Sequence, residues 1–242
     1  MKSSLSVSEQ TSSSRAFIIQ RYALAACIML APLSLTLYIL AWPENPAPVI
    51  LNNTMAAPIQ TSMMAGPLGN TLHFIGAVAA SFFLPLGYLG MSLLGMRRSP
   101  WLATLSAALS LIGWIPWSGL IGIDALAYDI AVSGSTPQLA EIWNHFNGDP
   151  TMATYLLIYV IGHLVSAVLI AILLGRLHLI PAWAAWAFAL SSPLTMGYFA
   201  IHVLLIRYIL RYAILASLLL GAAPAALAML KTRGQTVSVE EV

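Results

Sequence analysis

Trp114, Trp117, Ile121, Asp124 and Tyr128 follow one another in steps of three and four. On a helix that spacing puts two indoles, a carboxyl and a phenol on one face. An acid so placed can donate a proton, and aromatic faces stabilise the cation that results. The set suits proton-initiated chemistry on an isoprenoid, with Asp124 as the acid and Trp114, Trp117 and Tyr128 around the substrate. Asp129 lies about 140° from Asp124 at roughly 100° per residue, so the two carboxylates do not form a dyad on a regular helix.

The other polar residues fall into two groups. Measured from Trp101, Asp124 lies roughly 35 Å along a helix axis at about 1.5 Å per residue. A hydrocarbon core is about 30 Å thick, so Asp124 belongs near one membrane interface. His73 and His202 fall at span ends on that same side, and Glu141, His145 and Asp149 fall in a loop there. Arg207 and Arg211 are one turn apart and share a face. They could clamp an anionic head group or pair with Asp124 or Asp129; the plainer reading is interfacial anchoring and ion pairing between helix ends. His163 forms the second group. It sits roughly 16 Å into its own apolar run, near mid-membrane. Tyr155, Tyr159, His163 and Ser166 make a polar stripe there, which would either bond to a neighbouring helix or line a cavity. Ionisable residues at such depths are costly and ask for a reason. The candidates are therefore Asp124 and His163 for catalysis, with Trp114, Trp117, Tyr128, Tyr159, His202, Arg207 and Arg211 for substrate binding.

His73, His202 and Asp124 would make an acceptable histidine-carboxylate set for zinc. No two histidines stand four apart and no HExxH is present, so only folding could bring these ligands together. No motif implies another cofactor. Walker, Rossmann and nucleophile-elbow patterns are absent, no span interior contains the lysine that retinal needs, and His163 has no midplane partner for haem.

The elements that must carry these residues follow from composition. The 242 residues are 60% hydrophobic and 7% charged, whereas a soluble domain carries about 25% charged residues. Most of the chain must face lipid or other helices. Apolar runs at 22–42, 72–96, 101–130, 152–174, 182–206 and 208–230 give an all-α transmembrane bundle of six spans. A barrel would need alternating polarity. One domain is expected over 17–230, with polar tails at 1–16 and 231–242. With the N-terminus in the cytoplasm, Lys2, Arg15, Arg21, Arg97, Arg98, Arg176, Lys231 and Arg233 are inside and only Arg207 and Arg211 outside, so both termini are expected to be cytoplasmic. Loops 43–71 and 131–151 then lie outside; Asn52-Asn53-Thr54 in the first is a glycosylation sequon. Leu24-Ala25-Ala26-Cys27 looks like a lipoprotein box, but Arg21 stands where its apolar region should be. Pro32, Pro85, Pro116, Pro193 and Pro224 fall within five of the six spans, where they mark bends.

Gly162-His163, the run Ala167–Arg176, and Ile180-Pro181-Ala182-Trp183-Ala184-Ala185-Trp186 together resemble a pattern in uncharacterised bacterial six-helix membrane proteins. The resemblance covers roughly residues 152–230. It implies six helices in a bacterial cytoplasmic membrane, and, the family being of unknown function, no activity. The best functional expectation is a membrane-embedded enzyme acting on an amphiphilic, isoprenoid or lipid-like substrate, by proton transfer or by metal-assisted hydrolysis. A small permease, suggested by the bends, and a non-catalytic subunit of a membrane complex are the alternatives. The lipid bilayer and a lipid-like small molecule are the expected partners, and nothing points to nucleic acid.

Overall fold

The computed structural model describes residues 5–44, 57–201 and 203–231. Those residues form helices and no strand: α1 (Leu5–Ala41), α2 (Ala57–Leu94), α3 (Pro100–Trp114), α4 (Trp117–Ser133), α5 (Pro137–Asn147), α6 (Pro150–Arg176), α7 (Ala182–Ala200) and α8 (Leu204–Lys231). Five stretches are long and apolar enough to cross a membrane: Arg15–Ala41, Ala57–Leu94, Pro100–Ser133, Pro150–Arg176 and Leu204–Lys231. The chain is thus a multi-pass membrane protein by the length and composition of its helices. The stretch expected as a fifth of six spans, α7, is not among these five. It has 19 residues and carries Ser191, Ser192 and Thr195 beside Pro193.

Local chemistry sets the element ends. Proline opens α3, α5 and α6 at the first turn, where a missing N–H is harmless. The Thr136 hydroxyl accepts from Leu139 N–H at 3.3 Å and the Asp149 carboxylate from Thr151 N–H at 2.8 Å, capping α5 and α6.

Several boundaries differ from the apolar runs: α1 starts at Leu5 within the expected tail, α7 stops at Ala200 and α8 starts at Leu204, which puts Arg207 inside α8. The second run begins earlier, because residues 57–65 are already helical and α2 kinks at Gly66, whose φ of 65° a side chain would strain. The Asn70 side chain closes that kink. Its amide donates to the carbonyls of Ser62 (2.9 Å) and Gly66 (2.8 Å), and its oxygen accepts from Ser62 and Trp42. The third run breaks between α3 and α4, where the Pro116 ring removes a backbone donor. The loop expected at 131–151 contains α5, which lays Trp143 and Ala140 on Ile59, Ala127 and Ile130 as a small separate core. The sequon falls outside the described residues.

The helices close a ring. α1 packs on α2, α2 on α3 and α4, α3 on α6, α6 on α7, α7 on α8, and α8 back on α1. Small residues allow the closest approach, as expected without a hydrophobic drive between helices in lipid. A Cβ on Gly113 would lie 2.3 Å from His163 N, so α3 and α6 cross backbone to backbone at Gly113 and Gly162. The ring of Trp114 lies against His163 beside these glycines, so close backbone approach and a bulky aromatic occur together there. The first turns of α8 touch the last of α1, so α1 begins and α8 finishes at one end of the bundle, together with Arg97, Arg98 and Arg176. Trp101, Trp183 and Trp186 are exposed near that arginine end. Asp124 and α5 mark the opposite end.

Candidate functional site

The end of α1 organises the polar residues at the Asp124 end. Tyr38 and Trp42 stand one turn apart, and Glu44 follows once Pro43 has ended the helix. Gly76 of α2 lets Tyr38 come close, since a Cβ there would lie 2.3 Å from Tyr38 N.

The first cluster is Tyr38, His73 and Asp124. The Tyr38 hydroxyl donates to Asp124 Oδ2 at 2.9 Å. His73 Nδ1 lies 2.9 Å from the Tyr38 carbonyl oxygen, and its Nε2 lies 3.4 Å from Asp124 Oδ2. A carbonyl can only accept, so Nδ1 carries a hydrogen. Nε2 and Oδ2 thus face each other as a pair able to exchange a proton. Trp42 lies flat on His73, with ring centroids 3.8 Å apart and 5° between planes, which fixes the imidazole. His73 is enclosed, its side chain 3% exposed, whereas that of Asp124 is 18% exposed. Asp124 is the member of the pair that a substrate could reach.

Aromatic rings extend from this cluster into the membrane. Tyr38 meets Trp117 edge-on at 4.9 Å, Trp117 meets Trp114 and Tyr159, and Tyr159 stacks on His163 at 4.2 Å. Tyr128 packs on Phe74. The face read from the spacing thus survives the break at Pro116, with Trp114 and Trp117 buried and Asp124 and Tyr128 half-buried. The stripe on α6 survives in part. Tyr159, His163 and Ser166 are buried, but Tyr155 is exposed, because it lies near the start of α6 and rests on Gly119. His163 Nδ1 bonds to the Tyr159 carbonyl one turn back, and its ring lies against Trp114. A hollow of about 290 Å³ beside this helix is lined by Leu164, Val165, Val168, Leu169, Ser192, Pro193 and Met196, not by His163 or Asp124.

The second cluster corrects an expectation. Arg207 and Arg211 pair with Glu44, and neither Asp124 nor Asp129 is the partner. Arg207 Nε donates to Glu44 Oε2 and Arg211 Nη1 to Oε1, each at 3.1 Å. The Tyr198 hydroxyl donates to the same carboxylate and accepts from Arg207 Nη2 at 2.9 Å, while its ring lies 4.2 Å under that guanidinium. Arg211 Nη2 donates to the carbonyls of Ile39 and Trp42, capping the end of α1. The reason is geometric: Asp124 is already held by Tyr38 and His73, and Asp129 is exposed.

His73 and Asp124 thus come together, the beginning of the metal set proposed above. His202 lies outside the described residues, and among the described residues no three His, Cys, Asp or Glu side chains gather as ligands. Glu141 and His145 are exposed on α5. Asp149 caps α6, and the Thr151 N–H it accepts lowers its carboxyl below the ordinary range.

Sequence reasoning missed Tyr38, Trp42, Glu44, Asn70 and Tyr198. A signal existed for Glu44, the only Asp, Glu, Lys or Arg between Arg21 and Arg97. No family model, no curated protein and no solved structure matches this chain.

Proposed function

We propose that this chain is a membrane-embedded enzyme that transfers a proton to an amphiphilic, isoprenoid- or lipid-like substrate at Tyr38, His73 and Asp124. The observation that supports the reading is the approach of His73 Nε2 to an Asp124 Oδ2 that also accepts from the Tyr38 hydroxyl. A proton carried by Asp124 is available to a carbon–carbon double bond. A C–H bond forms, a carbocation remains, and the carboxylate is left hydrogen-bonded to Tyr38 and beside His73. Loss of a proton from the cation then restores the pair. Trp117 and Tyr128 flank the acid and suit the developing positive charge. In this reading α7 is the sixth span, the arginine-rich end and both termini face the cytoplasm, and the membrane is a bacterial cytoplasmic one.

A specific observation also favours a proton-coupled permease. The helices that carry His73 and Asp124 are the ones that break, at Gly66 and at Pro116. One experiment separates the readings. Purified wild type and D124N are incubated with bacterial lipid extract, and the extract is followed by mass spectrometry. An isomerised or cyclised lipid made by the wild type and not by D124N supports the enzyme. An unchanged extract, with substrate-driven proton uptake into proteoliposomes that D124N lacks, supports the permease. Wild type and D124N alike in both assays would leave a non-catalytic subunit and sink both proposals.

A further inference from the structure

We propose that Arg207 and Arg211, at the start of α8, bind a phosphate-bearing anion. The site shares no residue with the Tyr38–His73–Asp124 unit and does not depend on the reading given for it.

Two guanidinium groups share one carboxylate, that of Glu44, leaving one positive charge uncancelled. No other acid at this end makes up the difference. Asp124 is held by Tyr38 and His73, and Asp149 caps α6. Asp129 and Glu141 are exposed and pair with neither arginine. Residues 45–56 include no Asp or Glu, so that stretch cannot supply an acid either.

The hydrogen bonds leave a matching surplus of donors. Two guanidinium groups present about ten N–H bonds. Among the described residues six are used: on Glu44 twice, on the Tyr198 carbonyl and hydroxyl, and on the carbonyls of Ile39 and Trp42. Arg211 Nε is buried and meets no acceptor among the described residues, on a side chain that is 5% exposed. A buried donor left unmade is costly, more so on a charged group. Arg207 also lies in the opening turn of α8, where the helix dipole disfavours cations and favours an anion.

These observations name the chemistry. Paired planar guanidinium groups match the oxygens of phosphate, and Tyr198 beneath Arg207 keeps one of them in plane. The end of a membrane helix bundle is where lipid phosphates lie, although free phosphate would satisfy the same donors.

The test uses the full chain and native mass spectrometry with phosphatidylglycerol and phosphatidylcholine. The wild type should retain phosphatidylglycerol about tenfold more tightly than phosphatidylcholine, the scale of one charge-assisted contact. R207Q should lose that preference. R97Q, which removes an exposed charge at the opposite end, should keep it. R207K retains the charge without the fork and should fall between; it replaces R207Q in the comparison if R207Q does not fold. Competition by inorganic phosphate assigns the site to the free ion, and persistence of the lipid assigns it to the head group. No preference in the wild type, or equal losses in the Arg207 variant and R97Q, overturns the proposal.

Discussion

His73 and His163 are anchored alike and surrounded differently. Each is buried, each donates from Nδ1 to a backbone carbonyl, and each stacks on an aromatic ring. His73 also faces Asp124 and, through it, the Tyr38 hydroxyl. His163 faces Trp114 and Tyr159, with no carboxylate in contact among the described residues. An imidazole needs a second exchange partner to pass a proton on. By that criterion His73 is the one placed for the proposed proton transfer, and His163 is placed to pack the α3–α6 crossing.

The hardest way to break the comparison is to disturb that crossing. In G113V a Cβ would stand 2.3 Å from His163 N and 2.5 Å from Gly162 C, both of them backbone atoms. Overpacking of this kind costs about 3 kcal/mol or more, so little monodisperse protein is expected on size exclusion. Wild-type yield and thermal midpoint would show that the crossing does not fix His163. Next comes D124N. Loss of a general acid lowers a rate by about 100- to 10,000-fold, here at near wild-type stability, as read by turnover alongside the melting curve. A turnover near wild type would remove Asp124 from the chemistry.

Y38F sharpens the same site. It deletes one hydrogen bond to the carboxyl, and a fall of about tenfold in rate is expected. H163F should do much less. The ring is kept, and the Tyr159 carbonyl still accepts the residue 163 backbone N–H of the helix, so the loss is about 1 kcal/mol with turnover within a factor of about two. If H163F falls as far as D124N, the two histidines share a role and the contrast is void.

Asp149 gives the smallest effect and a control on acid sensitivity. Its carboxyl is lowered by the Thr151 N–H. A lowered folded value means that the cap's contribution is complete above the unfolded carboxyl value of about 3.9 and is lost as the pH falls through the folded value. Melting curves of wild type and D149N should therefore differ by a constant amount near neutrality and converge only in acid. Convergence that is already complete near pH 6 would show that the Asp149 carboxyl is not lowered and would remove it as a charged cap.

Legibility followed the range of the interactions. The runs at 22–42 and 152–174 reappear in α1 and α6 because lipid demands an unbroken apolar length, and that is a local property. The kink at Gly66 was hidden, since Gly66 and Pro67 lie in a stretch without a clean apolar edge and Asn70 closes the kink only once Trp42 arrives from α1. Thr136 and Asp149 cap α5 and α6 just before a proline, but they lie in a stretch too polar for a span, so α5 was hidden within an expected loop. Asp124 and His73 stood out because ionisable groups in apolar surroundings are rare. Tyr38 did not, since tyrosine at a span end is ordinary. It lies 86 residues from Asp124, and no periodicity reports a meeting at that separation.

The order of synthesis gives the Glu44 cluster a further meaning. Glu44 is made 163 residues before Arg207 and 167 before Arg211. At translation rates of about 5–20 residues per second, that is roughly ten to thirty seconds. Through that interval α1 waits in the bilayer with a carboxylate, and with the Ile39 and Trp42 carbonyls, whose guanidinium partners do not yet exist. The arrival of α8 satisfies all three together and joins the first span to the last. A chain that stalls before α8 leaves these three acceptors without their guanidinium partners at the end of its first helix.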